Sequence, residues 1–243
     1  MTQRLWIDKI NFDREDIFAY VKSLKDNNPN FTLIDVGASH NPFAAEYLTH
    51  TFDLRPNDCN AVSFLGNMCR ADDWQQIFDY VDKYGKFDFV NCTHTLEDIA
   101  NPIGVLDYLP RIAKEGFIAV PSKFYELQRR EPFRGAIHHR WIWDIVDQKL
   151  VGYPKLNLIE HINYGAYEEE IKRLGNTEIK MFWKNTIDYK FINDDYMGPT
   201  REAVIEMFIK LIVSDEDYNN GIRPEKHNIK SNNTSATGWH RIR

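Results

Sequence analysis

Short apolar runs alternate with stretches of helical apolar spacing through the first half of the chain. The runs predict β-strands at residues 31–36, 49–54, 61–65, 87–92 and 117–120. The spacings predict helices at residues 12–24, 43–47 and 72–83, and another that begins at Pro102 with Asn101 as its N-cap. Strands that alternate with helices in this order are typical of an α/β fold with a parallel sheet.

The pattern becomes less regular after residue 121. Residues 122–134 are polar, and apolar segments at 140–145 and 150–155 flank a polar turn, which predicts a hairpin. A helix is predicted at 164–174, a second hairpin at 178–192 and an amphipathic helix at 200–213. We therefore expect a single domain over residues 1–215 with an inserted hairpin at about 138–155, followed by a polar, partly basic and loosely ordered tail over 216–243.

Composition narrows the class of protein. The chain has 243 residues, of which 43% are hydrophobic, and its net charge of −6 disfavours nucleic acid as a partner. No apolar run is long enough to span a membrane, and the charged first residues do not resemble a signal peptide, so we expect a cytoplasmic protein. The 3 cysteines form no Cys-x-x-Cys pair, so no metal site is predicted. The sequence leaves the oligomeric state open.

Residues 31–43, FTLIDVGASHNPF, combine a buried strand with a turn of small residues that leads into a helix. Such a turn lets a ligand approach the backbone and the free N–H groups of the helix. The segment resembles the first motif of class I S-adenosylmethionine-dependent methyltransferases, roughly acid-x-Gly-x-Gly. Asp35 and Gly37 match the acid and the first glycine, whereas Ser39 replaces the second glycine. The resemblance implies cofactor contacts from this turn, including Ala38.

The order typical of this family continues to about residue 120 and implies further cofactor contacts. In the family an acid at the end of the second strand binds the ribose hydroxyls, and Asp53, followed by Leu54, stands there. A carboxylate suits this task because it can accept hydrogen bonds from both hydroxyls of a diol. Asn67 and Met68 follow the third strand, where the family meets the adenine, and Thr93 ends the fourth strand, beside the transferable methyl group.

Candidate catalytic residues come from the end of the fourth strand and from the start of the inserted hairpin. Methyl transfer from a sulfonium depends mostly on alignment, and a base can assist by removing the nucleophile's proton. His94 is one candidate base, with support of the cofactor loop as the alternative. His138 and His139, in the segment GAIHHRWIW at residues 135–143, are the others. The fold implied by the resemblance places this segment at the acceptor side.

The same segment contains Arg140, Trp141 and Trp143, which suit an anionic group and the face of a sugar or ring. If the segment is extended, His138 and Arg140 share one face and the other side chains share the opposite face. The two adjacent histidines then cannot bind one metal ion without a bend. The alternative is a hairpin whose tryptophans only cover the sheet.

The resemblance implies a Rossmann-like sheet of seven strands, mostly parallel with an antiparallel C-terminal hairpin. It implies S-adenosyl-L-methionine as the cofactor and methyl transfer to an oxygen or nitrogen of a small or sugar-like acceptor, which can be anionic. Nearby arginines either attract such an acceptor or are solvated: Arg129, Arg130 and Arg134. Two alternatives stay open, namely an RNA methyltransferase that uses the basic tail and a catalytically idle scaffold that binds the cofactor.

Overall fold

The computed structural model describes residues 14–38, 42–175, 177–192, 200–214 and 216. The strands are β1 Leu33–Val36, β2 His50–Asp53, β3 Val62–Leu65, β4 Phe89–Thr93, β5 Glu115–Pro121, β6 Arg129–Arg130, β7 Phe133–Arg134, β8 Trp141–Val146, β9 Lys149–Pro154, β10 Glu178–Lys184 and β11 Tyr189–Phe191. The α-helices are α1 Arg14–Asn27, α2 Gln75–Tyr84, α3 Pro102–Ile112, α4 Lys123–Leu127, α5 Tyr167–Leu174 and α6 Arg201–Lys210, and 3-10 turns occupy Ala45–Tyr47, Ala71–Trp74 and Asn157–His161. Most of the predicted tail, residues 217–243, lies outside the described ranges. Within them, no helix is long and apolar enough to cross a membrane.

A 6-stranded sheet forms the centre of the described chain, in the order β3-β2-β1-β4-β5-β10. Neighbouring strands from β3 to β5 run parallel, and β10 runs antiparallel to β5 at the edge. This arrangement confirms the α/β, Rossmann-like fold class and the antiparallel final strand. The chain leaves β1 toward β2 on one side and returns to β4 on the other, so a crevice opens at the carboxyl ends of β1 and β4.

Alternation along the central strands distributes apolar side chains to two cores. Leu33 in β1 packs with Ile17 of α1, whereas Ile34 points to the other face and packs with residues of α2 and α3. Every residue of β5 is buried, as expected for a strand that is covered on both faces. The Asn101 side chain accepts a hydrogen bond from Gly104 N at 3.2 Å, which confirms the expected N-cap of α3.

The inserted hairpin is confirmed, but the second hairpin prediction is wrong. The strands β8 and β9 pair as expected, and β11 joins them in a 3-stranded sheet in the order β11-β9-β8. Residues 187–192 therefore do not continue the main sheet beside β10, and the expectation of a seventh strand there fails. The cause is packing, because the Phe191 ring lies 5.0 Å from Trp141 and 5.5 Å from Trp143, centroid to centroid. Burial of this aromatic cluster favours the smaller sheet.

The polar segment at residues 122–134 is more ordered than its sequence indicates. It contains α4 and the β6–β7 pair, and Arg134 within it is fully buried. Its guanidinium donates to the main-chain carbonyl oxygens of Leu127, Ile159 and Ile162. It also pairs with Glu168 at 2.6 Å, and although burial opposes ionisation, this hydrogen bond lowers the pKa of Glu168. Arg134 therefore cross-links the decorated half of the chain instead of attracting a substrate or being solvated.

Replacing Arg134 by alanine should destabilise the fold strongly, because it leaves buried carbonyl oxygens and Glu168 without their donor. Breaking a buried pair costs roughly 3–5 kcal/mol, which urea denaturation would measure as a lower free energy of unfolding. Arg129→Ala is the matched control, because its side chain is 36% exposed and exposed ion pairs contribute only about 0–1 kcal/mol. Equal losses in both variants would contradict the cross-linking role.

Candidate active site

The turn after β1 is built around a glycine. Gly37 has a φ of 84°, and its N–H donates to Phe52 O at 2.9 Å, which joins the turn to β2. A Cβ at this position would lie 2.2 Å from Thr95 Oγ1, so conformation and space both favour glycine. Ala38 is buried, while Ser39 lies outside the described residues. The main chain thus comes close to the carboxyl edge of the sheet without an intervening side chain.

Asp35, in β1, supports this turn from below. One carboxyl oxygen accepts a hydrogen bond from Asn91 Nδ2 in β4 at 2.9 Å, and the other accepts from Phe43 N at 3.1 Å. Burial raises the pKa of Asp35 to about 7, although the hydrogen bonds from Asn91 and Phe43 oppose the shift. The Asp35 side chain is 1% exposed and therefore does not contact a ligand directly. It can affect ligand binding by fixing the position of the turn.

The neighbouring strand end presents an acid beside an uncovered apolar side chain. Asp53 is the last residue of β2, and its Oδ1 accepts a hydrogen bond from Leu54 N at 2.6 Å. Leu54 itself is 67% exposed. This pair suits a nucleoside, because a ribose diol can donate hydrogen bonds to the carboxylate and an attached base can cover the apolar surface.

The turn after β3 uses its polar groups locally. Asn67 N donates to Asp73 Oδ2 at 2.7 Å, and Asn67 Oδ1 accepts from Cys69 N at 2.9 Å. Asn67 is exposed, so its side chain stays a predicted contact to adenine. Met68 packs into the core, and its carbonyl oxygen accepts from Trp74 Nε1 at 2.9 Å. The Met68 side chain therefore offers little surface to a ligand.

A cavity of about 480 Å³ lies at the carboxyl ends of β4 and β5. It brings together the histidines that the sequence singles out as candidate bases, and it adds several carboxylates. The lining includes His94, Glu97, Asp98, Tyr125, His138, His139 and Glu178. We call this space the histidine-lined cavity. The strand β4, which ends at Thr93, pairs with β1 on one side and β5 on the other, so the crevice and the cavity are neighbours.

His94 is held between two carboxylates. Its Nε2 lies 2.6 Å from Glu178 Oε1, and its Nδ1 lies 3.3 Å from Glu97 Oε1. Hydrogen bonds to Glu178 and Glu97 raise the pKa of His94 to about 9. Burial opposes ionisation of Glu178, but the hydrogen bonds from His94 and Arg14 prevail and lower the pKa of Glu178 to about 2. His94 is therefore an imidazolium at neutral pH, which suits it poorly to the role of general base.

Arg14 shares the same carboxylate. Its Nη2 lies 2.5 Å from Glu178 Oε1 and 2.7 Å from His94 Nε2. A guanidinium and an imidazolium are both donors, so the short distance between them is not a hydrogen bond, and both donate to Glu178. This shared acceptor ties α1 to the start of β10 and keeps His94 in place.

His139 is oriented by a buried ion-pair network. Its Nδ1 lies 2.5 Å from Glu126 Oε1, and Glu126 Oε2 lies 2.5 Å from Lys155 Nζ. Lys155 also donates to two main-chain carbonyl oxygens. Because a carboxylate accepts hydrogen bonds, we assign the Nδ1 position a proton. The other ring nitrogen, Nε2, lies 3.7 Å from Asp98 Oδ1 at the cavity.

His138 reaches the same aspartate. Its Nε2 lies 3.7 Å from Asp98 Oδ1, and its side chain is 68% exposed. The chain turns at residues 137–138 instead of extending from 138 onward. The condition for placing the two histidines on opposite faces, an extended segment, is therefore not met, and the bend lets His138 and His139 approach one carboxylate.

Arg140, Trp141 and Trp143 lie outside the cavity lining. Trp141 and Trp143 are buried against Phe191, and Trp141 Nε1 donates to Ile99 O at 2.9 Å. Arg140 is exposed. The prediction that these three side chains bind the acceptor thus finds no support in the geometry, which favours the alternative that the tryptophans cover the sheet.

Sequence reasoning missed the carboxylates that contact the histidines of the cavity. Glu97 and Asp98 follow His94 closely in the chain, and this closeness could have marked them as candidate site residues. Glu126 lies in the polar segment after β5, and Glu178 begins β10. No local pattern marks these last two, because only the tertiary fold brings them to the histidines.

The known structures that resemble this chain are only distantly similar to it. No protein-family model and no curated protein matches the chain. The N-terminal domain of EvdMO1 with SAH bound is 12% identical, with a TM-score of 0.32 over 69% of this chain and 65% of that chain, which is less than two thirds of its length. The same domain in the presence of SAH and D-fucose is also 12% identical, with a TM-score of 0.27 over 72% of this chain and 69% of that chain. A cyclopropane-fatty-acyl-phospholipid synthase-like protein from Lactobacillus casei is 12% identical, with a TM-score of 0.34 over 68% of this chain and 88% of that chain. At this similarity they add nothing to the fold described above.

The charge state of His94 can be tested directly. An NMR titration should show the His94 ring protonated at pH 7.5 and losing its proton near pH 9, because two carboxylates stabilise the cation. Glu178→Gln should lower this pKa toward the ordinary value. His94→Asn assigns the resonance and suits the backbone, since His94 has a φ of 49° and asparagine tolerates that region. A His94 ring that titrates near pH 6.5 in the wild type would contradict the geometry.

Proposed function

We propose that the protein is an S-adenosylmethionine-dependent methyltransferase that acts on an oxygen or nitrogen of a small or sugar-like acceptor. The observation that supports it is the pairing of two sites along one sheet edge. The crevice at the carboxyl ends of β1 and β4 has Gly37 at its edge and Asp53 on the neighbouring strand β2, and the histidine-lined cavity lies at the ends of β4 and β5. A group-transfer enzyme needs donor and acceptor sites that adjoin in this way.

The residues of the crevice fit the proposed cofactor. The main chain at Gly37, where a Cβ has no space, would approach it closely. Asp53 would accept hydrogen bonds from the ribose, and exposed Leu54 would lie against the base near Asn67. When bound, the cofactor supplies an electrophilic methyl group on a sulfonium.

The cavity favours an acceptor that donates hydrogen bonds. Its volume of about 480 Å³ lies within the usual range for small-molecule pockets. Its wall contains Glu97, Asp98 and Glu178, so hydroxyl or amino groups fit better than phosphate or carboxylate. This argues against an anionic acceptor and against the RNA alternative. Removal of the acceptor's proton depends on His139, whose ring is fixed by Glu126 with Nε2 near Asp98.

Loss of Asp53 should weaken cofactor binding. Removing a charged hydrogen-bond acceptor costs roughly 1.5–3 kcal/mol, so Asp53→Ala should raise the Kd for S-adenosylhomocysteine about 10- to 100-fold in calorimetry. Asp79→Ala is the matched control, because Asp79 is exposed on α2 and its carboxylate accepts a hydrogen bond from the nearby Gln75 side chain. Equal affinity in Asp53→Ala and wild type would remove Asp53 from the site, and a wild type that binds no S-adenosylhomocysteine would overturn the proposed function.

Loss of His139 should impair turnover but not cofactor binding. With a panel of sugars and amines as acceptors, His139→Ala should lower kcat about a hundredfold, while the Kd for S-adenosylhomocysteine stays within about twofold. His161→Ala is the control, since His161 lies in the 3-10 turn at Asn157–His161 and outside the cavity lining. Cofactor binding by the wild type without turnover of any acceptor would instead favour the idle scaffold.

A further inference from the structure

We propose that Asp98, His138 and His139 form a binding site for a divalent transition metal ion of the zinc class, in the wall of the histidine-lined cavity. One nitrogen from each histidine and one carboxylate oxygen lie within 4.8 Å of one another. Both histidine Nε2 atoms are 3.7 Å from Asp98 Oδ1. Ligand atoms about 2.0–2.2 Å from a tetrahedral ion lie roughly 3.4 Å apart, so small movements of these side chains would complete the site.

The more buried histidine is already held as metal-binding histidines usually are. A ligating imidazole generally donates its second N–H to a carboxylate or carbonyl group, which fixes the tautomer and directs the other nitrogen to the metal. His139 Nδ1 has this contact with Glu126 at 2.5 Å, and Lys155 holds Glu126 in turn. His138 and Asp98 are exposed, at 68% and 43% of their side-chain surface, and are free to adjust around an ion.

A second feature of the same cavity, the buried carboxylate of Glu97, favours a bound cation. Glu97 also lines it, is 1% exposed, and its Oε2 is buried without a hydrogen-bond partner among the described residues. A buried carboxylate oxygen without a donor is unfavourable. A cation bound nearby at Asp98 would lower that electrostatic cost through space, without a hydrogen bond to the buried oxygen.

The ligand types select the class of metal. Two imidazoles and one carboxylate suit Zn²⁺ and its transition-metal neighbours, whereas Mg²⁺ and Ca²⁺ prefer oxygen ligands alone. Three protein ligands leave a position open to the cavity. If the proposed function holds, an acceptor hydroxyl bound there would lose its proton to solvent more readily, and His139 would then promote this step as a ligand of the ion and not as the base itself. Its oxygen would then bond to the methyl carbon as the sulfur–carbon bond breaks and the electron pair stays on sulfur.

Zinc binding by the tag-free, chelator-treated protein tests the site. Calorimetry should show one high-affinity Zn²⁺ per chain, and Co²⁺ should give visible absorption bands of a low-coordinate site. His138→Ala and Asp98→Ala should each raise the Kd for Zn²⁺ by at least tenfold, and Glu126→Gln by about 10- to 100-fold through the orientation of His139. The first two changes lie at exposed positions, so thermal unfolding should remain close to wild type.

The controls separate this site from adventitious binding and from the proposed function. His161→Ala, and a double variant of His227 and His240, which lie outside the described residues, should bind Zn²⁺ like wild type. Wild-type affinity equal to that of His138→Ala and Asp98→Ala would overturn the proposal, and so would a loss confined to the control variants. Because S-adenosylhomocysteine binds at the crevice, its Kd reports on the proposed function separately and should not change in the metal-site variants.

Discussion

The buried carboxyl group of Asp35 joins the segments on which the candidate site depends. It accepts hydrogen bonds from β4 through Asn91 and, through Phe43, from the chain that re-enters after the turn. Burial of a carboxyl group is unfavourable, as its pKa of about 7 reflects, and these hydrogen bonds offset part of that cost. The group thus holds together the ends of β1 and β4, between which the crevice opens. Gly37 is packed against Thr95, so the main chain at this first residue of the turn has little room to move, and a preorganised main chain binds a ligand at lower entropic cost.

Two histidines at the same sheet edge have different partners and therefore different chemistry. His94 lies between Glu178 and Glu97, which keep it cationic, so it acts as a fixed positive charge that stabilises the end of β4. The carboxylate nearest to His139 is that of Glu126, whose negative charge is already matched by Lys155. Glu126 therefore orients the ring and leaves Nε2 toward Asp98. His94 follows the strand end where the methyl group was expected. The charges around each histidine nevertheless indicate its reactivity better than that position does.

The sequence could predict features that depend on local patterns, but not those that depend on contacts between distant parts of the chain. Burial on both faces makes the parallel strands read as continuous apolar runs, so the strands and the residues at their ends, such as Gly37 and Asp53, were predictable locally. The placement of β11 was not, since it depends on Phe191 meeting two tryptophans from another segment. The burial of Arg134 was equally hidden, because its acceptors lie in α4, at residues 159–162 and in α5, and a polar run is normally solvated.

The same reasoning explains why the residues of the crevice were easier to predict than those of the histidine-lined cavity. The crevice uses strand ends whose order the fold dictates, whereas the cavity is assembled from the end of β4, the turn before β8 and the start of β10. In that cavity Glu178 is matched by His94 and Arg14, but Glu97 Oε2 has no hydrogen-bond partner in the described chain. This oxygen is buried, so its charge can be balanced only through space. The proposed ion at Asp98 would supply positive charge in this way, while a hydroxyl-bearing ligand would donate hydrogen bonds to carboxylate oxygens that are open to the cavity.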